Sequence, residues 1–281
     1  MPKHLGGGPD LLEVLGPVFA LIGIAIYLGL VVRGRHRWLR RRCVLWVAGS
    51  LAAVAAISGP LARAADTSYV AHMAAHVLLG MLAPLLLVLA APITLLLRSL
   101  PVSTARRVSR VLTSVPIRIL TEPGVAAVLS VGGLWLLYPT GLYAAMHHHD
   151  GVHLLVHAHL LLAGYLFTAA VISVDPMPHR RSFLHRSVVL VLALAAHDIL
   201  AKYLYAHPPD GVLAPAAETG AMVMYYGGDA VDVAILVVLG ARWYRVTRPR
   251  IRTAAVTDAA RVASRRGNAA PKRPVLPPLR S

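Results

Sequence analysis

Cysteine is almost absent from this sequence: Cys43 is the single one among 281 residues. One thiol excludes an internal disulfide and any CxxC or CxC metal-shuttling motif. Charged residues are also few, at 14%, and acids are the rarer sign, with 12 Asp and Glu against 28 Lys and Arg. Aromatic residues make up 6%, and none of them alternate with basic residues as in a nucleic-acid-binding surface. We therefore expect neither a soluble globular domain nor a nucleic-acid partner.

Long apolar runs fill most of the chain, which is 57% hydrophobic with a mean hydropathy of +0.64. Runs of about 18 residues or more are long enough to cross a membrane as helices. Backbone groups in lipid must be satisfied within the segment, so the runs predict helices. The fold class is all-α, with seven transmembrane helices near residues 14–32, 43–61, 69–97, 124–145, 152–174, 187–206 and 219–241.

Basic residues lie in alternate connections between these spans. They cluster in 33–42, 98–118, 179–186 and after 242, whereas the other connections hold only Lys3 and Arg63. The positive-inside rule then predicts an outer N-terminus and a cytoplasmic C-terminus in a multi-pass plasma-membrane protein. The net charge of +16 indicates topology and contact with anionic lipids. Three regions follow: a short extracytoplasmic N-terminus (1–13), a membrane domain (14–241) and a basic, largely disordered cytoplasmic tail (242–281).

Two pairs of histidines enter the membrane at the same predicted depth. His72 and His76 are four residues apart at the outer end of the third span, so they share a helix face. His153 and His157 repeat this spacing at the outer end of the fifth span, and His159 points elsewhere. Such histidines act either as hydrogen-bonding links between helices or as metal ligands.

Charged residues also lie inside the sixth and seventh spans. Asp198 and Lys202 are spaced i, i+4, next to His197, and Asp229 and Asp232 are spaced i, i+3. Each charge near the bilayer centre costs about 2.5–3.5 kcal/mol on insertion scales, so partners are required. Three acids against one lysine predict compensation by protonation, by imidazolium or by a bound cation.

Ligand chemistry restricts the metal that such a site would take. Imidazole suits zinc, copper or iron, nearby thioethers favour Cu(I), and an oxygen-only magnesium or calcium site is disfavoured. Methionines lie close to the polar residues on two spans, namely Met73 and Met81 on the third and Met222 and Met224 on the seventh.

Several stretches resemble the CtaG-type cytochrome c oxidase assembly factor family. They are "HMAAHVLLGMLAPLLLVLAAPITLLLR" (72–98), "HLLVHAHLLLAGYLFTAAVISVDPMPHR" (153–180) and, more loosely, "AAHDILAKYLY" (195–205) and "MVMYYGGDAVDVAILV" (222–237). The resemblance covers roughly residues 15–245. It implies a seven-span protein needed for maturation of the copper-containing oxidase, with oxidase subunits as partners. The family pattern falls here on His72, His76, His153, His157, Asp175 and Pro176.

The leading hypothesis is a non-enzymatic assembly factor that binds copper at an outward-facing cluster of His72, His76, His153 and His157. His159, His197, Asp198, Lys202, Asp229 and Asp232 would form a supporting polar network. One alternative is a zinc-dependent intramembrane hydrolase acting on lipid, with a metal-bound water and a carboxylate base. Another is a haem-binding electron carrier with axial histidines from the third and fifth spans.

Overall fold

A computed structural model describes residues 11–34, 38–176 and 180–247, except the side chains of Leu11, Leu12 and His147. The chain divides into two compact units, Met1–Ala241 and Arg242–Ser281. Most of the expected N-terminal segment, and the expected tail beyond residue 247, lie outside the described residues.

The described residues are helical, as the apolar runs predict. The α-helices, in chain order, are α1 (Leu11–Arg33), α2 (Arg40–Ile57), α3 (Pro60–Ala65), α4 (Tyr69–Val77), α5 (Ala83–Leu89), α6 (Pro92–Ser99), α7 (Val102–Leu112), α8 (Val115–Leu120), α9 (Pro123–Ala127), α10 (Gly133–Leu137), α11 (Leu142–His148), α12 (Asp150–Ile172), α13 (Phe183–Ala206) and α14 (Ala214–Thr247). Two π-helical turns, Leu78–Leu82 and Val128–Gly132, continue α4 into α5 and α9 into α10.

Six helical segments in the described residues are long and apolar enough to cross a membrane: Glu13–Arg33, Arg40–Ala65, Tyr69–Ser99, Asp150–Ile172, Phe183–Ala206 and Ala214–Thr247. The fourth expected span, 124–145, is instead a short apolar helix, Pro123–Leu137, followed by α11. At about 1.5 Å per residue this helix is only about 22 Å long. Pro139 stands in the turn that ends it, where its ring opposes continuation of the helix.

The regular α-helix of the third span is interrupted near both of its prolines. The π-helical turn Leu78–Leu82 lies just before Pro84, and Pro92 opens a new helix after Ala91, whose φ is 55°. That left-handed conformation breaks the helix and exposes carbonyl groups, which must find other donors. The Tyr27 hydroxyl donates to the Ala90 carbonyl at 2.9 Å and thereby satisfies one of them.

A close helix crossing holds α12 against the third span. A Cβ on Gly164 would collide with the backbone of Gly80, and a Cβ on Gly80 would lie 2.9 Å from the Leu160 side chain. Small residues allow such contact between helix backbones in membranes. The crossing brings the histidines of α4 and α12 to the same end of the bundle.

Hydrogen bonds between connections tie the arginine-rich end of the bundle together. The Asp175 carboxylate accepts from the backbone N–H of Thr94 at 2.8 Å and from its hydroxyl at 2.6 Å, at the start of α6. Glu122 caps α9 and accepts from His185 Nε2 at 2.9 Å. The three connections before α6, α9 and α13 therefore meet at one end, while Met146, at the far end of the 123–148 segment, lies beside His72 at the other.

Candidate functional site

All four histidines of the two i, i+4 pairs line one cavity. We call it the outer cavity, after the side predicted to face outward; it is lined by His72 and His76 from α4, His153 and His157 from α12, and by Glu13, Ala56, Ile57, Ala62, Arg63, Ala65, Asp66, Ala75, Leu79, Leu137, Tyr138, Met146, Val156 and Leu160. It encloses about 750 Å³, counting the solvent at its mouth. The two histidine pairs, which the sequence places at the same depth on separate helices, are therefore close together in the fold.

Aromatic rings surround His72. Its Nε2 is 3.2 Å from the Tyr138 hydroxyl, and the Tyr143 and Tyr69 rings lie 5.2 Å and 6.2 Å from its own, centroid to centroid. His72 is buried, so this cage fixes the orientation of the imidazole. Sequence reasoning assigned no role to these tyrosines, because tyrosine is a common packing residue at helix ends.

The second pair, on α12, is half-buried. The rings of His153 and His157 are 4.2 Å apart, and His157 Nδ1 lies 2.9 Å from the His153 carbonyl oxygen. A carbonyl oxygen can only accept, so Nδ1 of His157 carries a proton, and in the neutral ring the lone pair is on Nε2. A neutral imidazole with its lone pair on Nε2 is a metal-ligand form.

Residues that the sequence reasoning did not single out complete the outer cavity. Arg63 and Asp66 lie at its rim, from the connection before α4, and Met146 contributes a buried thioether. Asp66 could have been found from its place three residues before the third span, on the side poor in basic residues. Met146 gave no such signal, because α11 folds back onto the bundle only in three dimensions.

A second cavity lies deeper between the helices. This inner cavity is lined by His76, Met81, His197 and Asp232, and also by Gly80, Ser130, Val131, Leu134, Leu160, Phe167, Thr168, Ala193, Leu194 and Ile235. The rings of His76 and His197 are 6.2 Å apart and nearly parallel, at 14°. His76 lines both cavities, so it forms part of the wall between them.

The acidic residues gather around His197 on α13 and α14. Asp198 Oδ1 is 3.9 Å from His197 Nδ1, Asp198 interacts electrostatically with Asp229, and Asp232 is buried. Lys202 is exposed, and its Nζ lies 5.3 Å from the Tyr225 ring centroid. One buried carboxyl group, that of Asp232, thus lines the inner cavity, while Asp198, Asp229 and Lys202 do not.

His159 stands apart from both cavities. It is exposed, and its Nε2 lies 3.0 Å from the carbonyl oxygen of Leu129 in the π-helical turn Val128–Gly132. Gly133 makes room for the ring, because a Cβ there would be 2.5 Å from His159 Nε2. The geometry gives His159 a structural contact that holds α12 against α10.

Histidine, cysteine and acidic side chains alone do not form a three-ligand metal site among the described residues. Within residues 11–34, 38–176 and 180–247, no group of three or more His, Cys, Asp or Glu side chains is arranged to hold a metal ion. Four imidazoles around a cavity with half-buried members can still supply a ligand pair, which suits metals of low coordination number.

The profile of the cytochrome c oxidase caa3 assembly factor family matches residues 25–246. The chain belongs to this family. The match includes every histidine of the two cavities and confirms the resemblance seen in the sequence.

Relatives of this family member include three uncharacterized mycobacterial proteins. One from Mycobacterium leprae is 30% identical over 66% of the chain, and those from Mycobacterium bovis and Mycobacterium tuberculosis are each 31% identical over 67%. The matched region spans about 29% of the length of each of these curated relatives. No solved structure matches the chain.

Proposed function

We propose that this chain supports the assembly of cytochrome c oxidase by holding copper in the outer cavity and releasing it to an oxidase subunit. The observation that carries the proposal is the convergence of His72, His76, His153 and His157 on one cavity at the arginine-poor end of the bundle. In this proposal copper is the ion that is transferred, and membership of the family indicates that cytochrome c oxidase receives it.

The cavity suits transient binding. His153 and His157 are half-buried, whereas His72 and His76 are buried. The burial of the imidazoles therefore increases from the mouth of the cavity inward. Imidazole binds copper in its neutral form, so protonation of these rings would favour release. The Tyr138 hydroxyl next to His72 would orient the ring from outside the ligand set.

Family membership weighs against the alternative functions. The family is one of assembly factors, which favours a non-catalytic role over a zinc hydrolase. An assembly role likewise fits less well with a haem-binding electron carrier. Oxidase subunits are the expected partners at the mouth of the cavity, and contact of the arginine-rich end with anionic lipids stays a prediction.

Metal content tests the proposal. Protein purified after growth with added copper should contain copper, and the double variant His153→Ala/His157→Ala should bind Cu(I) at least about tenfold more weakly at the outer cavity. Membranes of cells that carry the variant should lose cytochrome c oxidase activity when copper is limiting. Restoration of that activity by excess copper would indicate impaired metal capture.

The matched control is His207→Ala, which removes a histidine whose ring stacks on Tyr203 at 4.5 Å, away from both cavities. This variant should retain copper and oxidase activity. Zinc without copper in the wild-type protein, or a haem Soret band, would contradict the proposal and support one of the two alternatives. Unchanged copper affinity in the double variant would also contradict it.

A further inference from the structure

The inner cavity contains two imidazoles whose nitrogen atoms are not satisfied. His76 and His197 are each 3% exposed, and none of their four ring nitrogens has a hydrogen-bond partner among the described residues. A buried polar group without a partner costs about 1–3 kcal/mol. Two such rings, nearly parallel and on one cavity wall, therefore indicate a ligand that binds between them.

A thioether lines the same cavity next to His76. Met81 follows His76 by five residues and lies in the π-helical turn Leu78–Leu82. A π turn closes i→i+5 hydrogen bonds, so it brings residues five apart toward the same helix face. In a regular α-helix, residues five apart point in different directions. The π turn thus places sulfur and imidazole on one cavity.

The charge around the cavity favours a cation. Asp232 lines it and is buried, and Asp198 Oδ1 lies 3.9 Å from Nδ1 of His197. At 3.9 Å the Asp198 carboxyl group makes no hydrogen bond to the ring, so it acts on a bound cation through charge alone. Anionic ligands would be repelled by the same carboxylates.

The packing of α14 leaves space for the His197 ring. A Cβ on Gly228 would lie 2.5 Å from His197 Cε1, so a glycine is needed at this point of contact. The cavity itself is small, with about 30 Å³ of free space. The ring is therefore held by backbone contact against α14 and faces this small cavity.

We propose that His76, His197 and Met81 form a second Cu(I) site inside the membrane, which receives the ion from the outer cavity. Two imidazoles and one thioether are neutral ligands that suit Cu(I), and the buried Asp232 lies at the same cavity. The inference rests on the proposed function for its cargo. His76 lines both cavities, so an ion can pass from the outer histidines to the inner site at its ring.

Anaerobic titration of the full-length protein in detergent with Cu(I), against a chromophoric competitor, tests the site. The wild-type protein should bind two ions per chain. His153→Ala/His157→Ala should bind one, at the inner site, and Met81→Leu/His197→Ala should bind one, at the outer site. Met81→Leu alone preserves side-chain volume, so it should fold normally and weaken the inner site at least about tenfold.

X-ray absorption gives a second, independent readout. Copper in His153→Ala/His157→Ala should show sulfur scattering, which the added substitution Met81→Leu should remove. The matched control is Met222→Leu, because Met222 is 43% exposed near the outer end of α14. This control should change neither the number of ions nor the scattering.

The outcomes separate this inference from the proposed function. A single ion per chain that is lost in His153→Ala/His157→Ala and unaffected by Met81→Leu would overturn the inner site alone. A single ion that survives the outer double variant and is lost with Met81→Leu would overturn copper capture by the outer cavity and support the inner site. No bound copper, with water satisfying the buried imidazoles, would overturn both.

Discussion

The two cavities use the same residue type in opposite settings. In the outer cavity the imidazoles are held by tyrosine and backbone contacts, as for His72 with Tyr138 and His157 with the His153 carbonyl. In the inner cavity His76 and His197 are more deeply placed and their nitrogens lack such contacts among the described residues. Hydrogen bonds orient the first set, whereas packing alone positions the second. The orientation of His76 and His197 consequently depends more strongly on the side chains packed around them.

The strongest way to break this comparison is to separate the helices that carry both sites. Gly164→Val would push α12 away from the backbone of Gly80, and both cavities should be lost together. We expect the variant to be destabilised by about 1–3 kcal/mol or more. Thermal unfolding in detergent and Cu(I) stoichiometry measure the two effects.

Gly29→Ala is the matched control for this change, because a Cβ on Gly29 meets nothing within 4 Å. Helix propensity should make it neutral or stabilising by up to about 1 kcal/mol. Retention of normal copper binding by Gly164→Val would show that the crossing does not set the distance between α4 and α12.

A smaller change should separate the cavities. Gly228→Ala places a methyl group 2.5 Å from His197 Cε1, so the ring must move and the inner site should lose Cu(I) affinity while the outer site keeps it. Overpacking of this kind costs about 1–3 kcal/mol. Competitive Cu(I) titration in the His153→Ala/His157→Ala background isolates the inner site.

The neighbouring glycine gives the control. A Cβ on Gly227 would be in ordinary contact with Val77, at 3.4 Å, so Gly227→Ala should leave copper binding unchanged. Equal losses in Gly227→Ala and Gly228→Ala would mean that α14 tolerates no added volume at all, and that the position of His197 is not the cause.

The smallest expected effect lies at the arginine-rich end, far from both cavities. Partial burial raises the pKa of Glu122, but hydrogen bonds from the Val125 N–H, from His185 and from the Gly124 N–H outweigh it and leave the pKa below the ordinary 4.5. The carboxylate therefore stabilises the fold fully above pH 4.5, and this contribution is lost as the pH falls through the lowered pKa.

Glu122→Gln should remove about 1 kcal/mol of this stabilisation near neutral pH. The unfolding temperatures of the wild-type protein and the variant should converge as the pH is lowered below 4.5, while both cavities bind copper normally. A constant difference across that range would show that the charge of Glu122 contributes nothing.

Sequence periodicity predicts the helices and the sharing of faces, since both depend on neighbours in the chain. The i, i+4 pairs His72/His76 and His153/His157 follow directly from helix geometry. The fourth span was harder to predict, because its apolar run continues past the turn at Pro139 and α11 is a separate short helix. Mean hydropathy reflects the composition of a window of residues. A helix that ends inside the window does not change this mean, so the end of the helix is not detected.

Composition and arginine placement by themselves determined the helical membrane fold and its predicted orientation, because lipid permits few backbone structures and charge is costly to bury. Only the tertiary structure decided which polar residues meet. The crossing at Gly80 and Gly164 brings four histidines to the outer cavity, and the π turn at Leu78–Leu82 puts Met81 on the inner one. The crossing depends on close contact between distant segments, and the π turn depends on local helix geometry. Hydropathy and residue spacing predict neither of them.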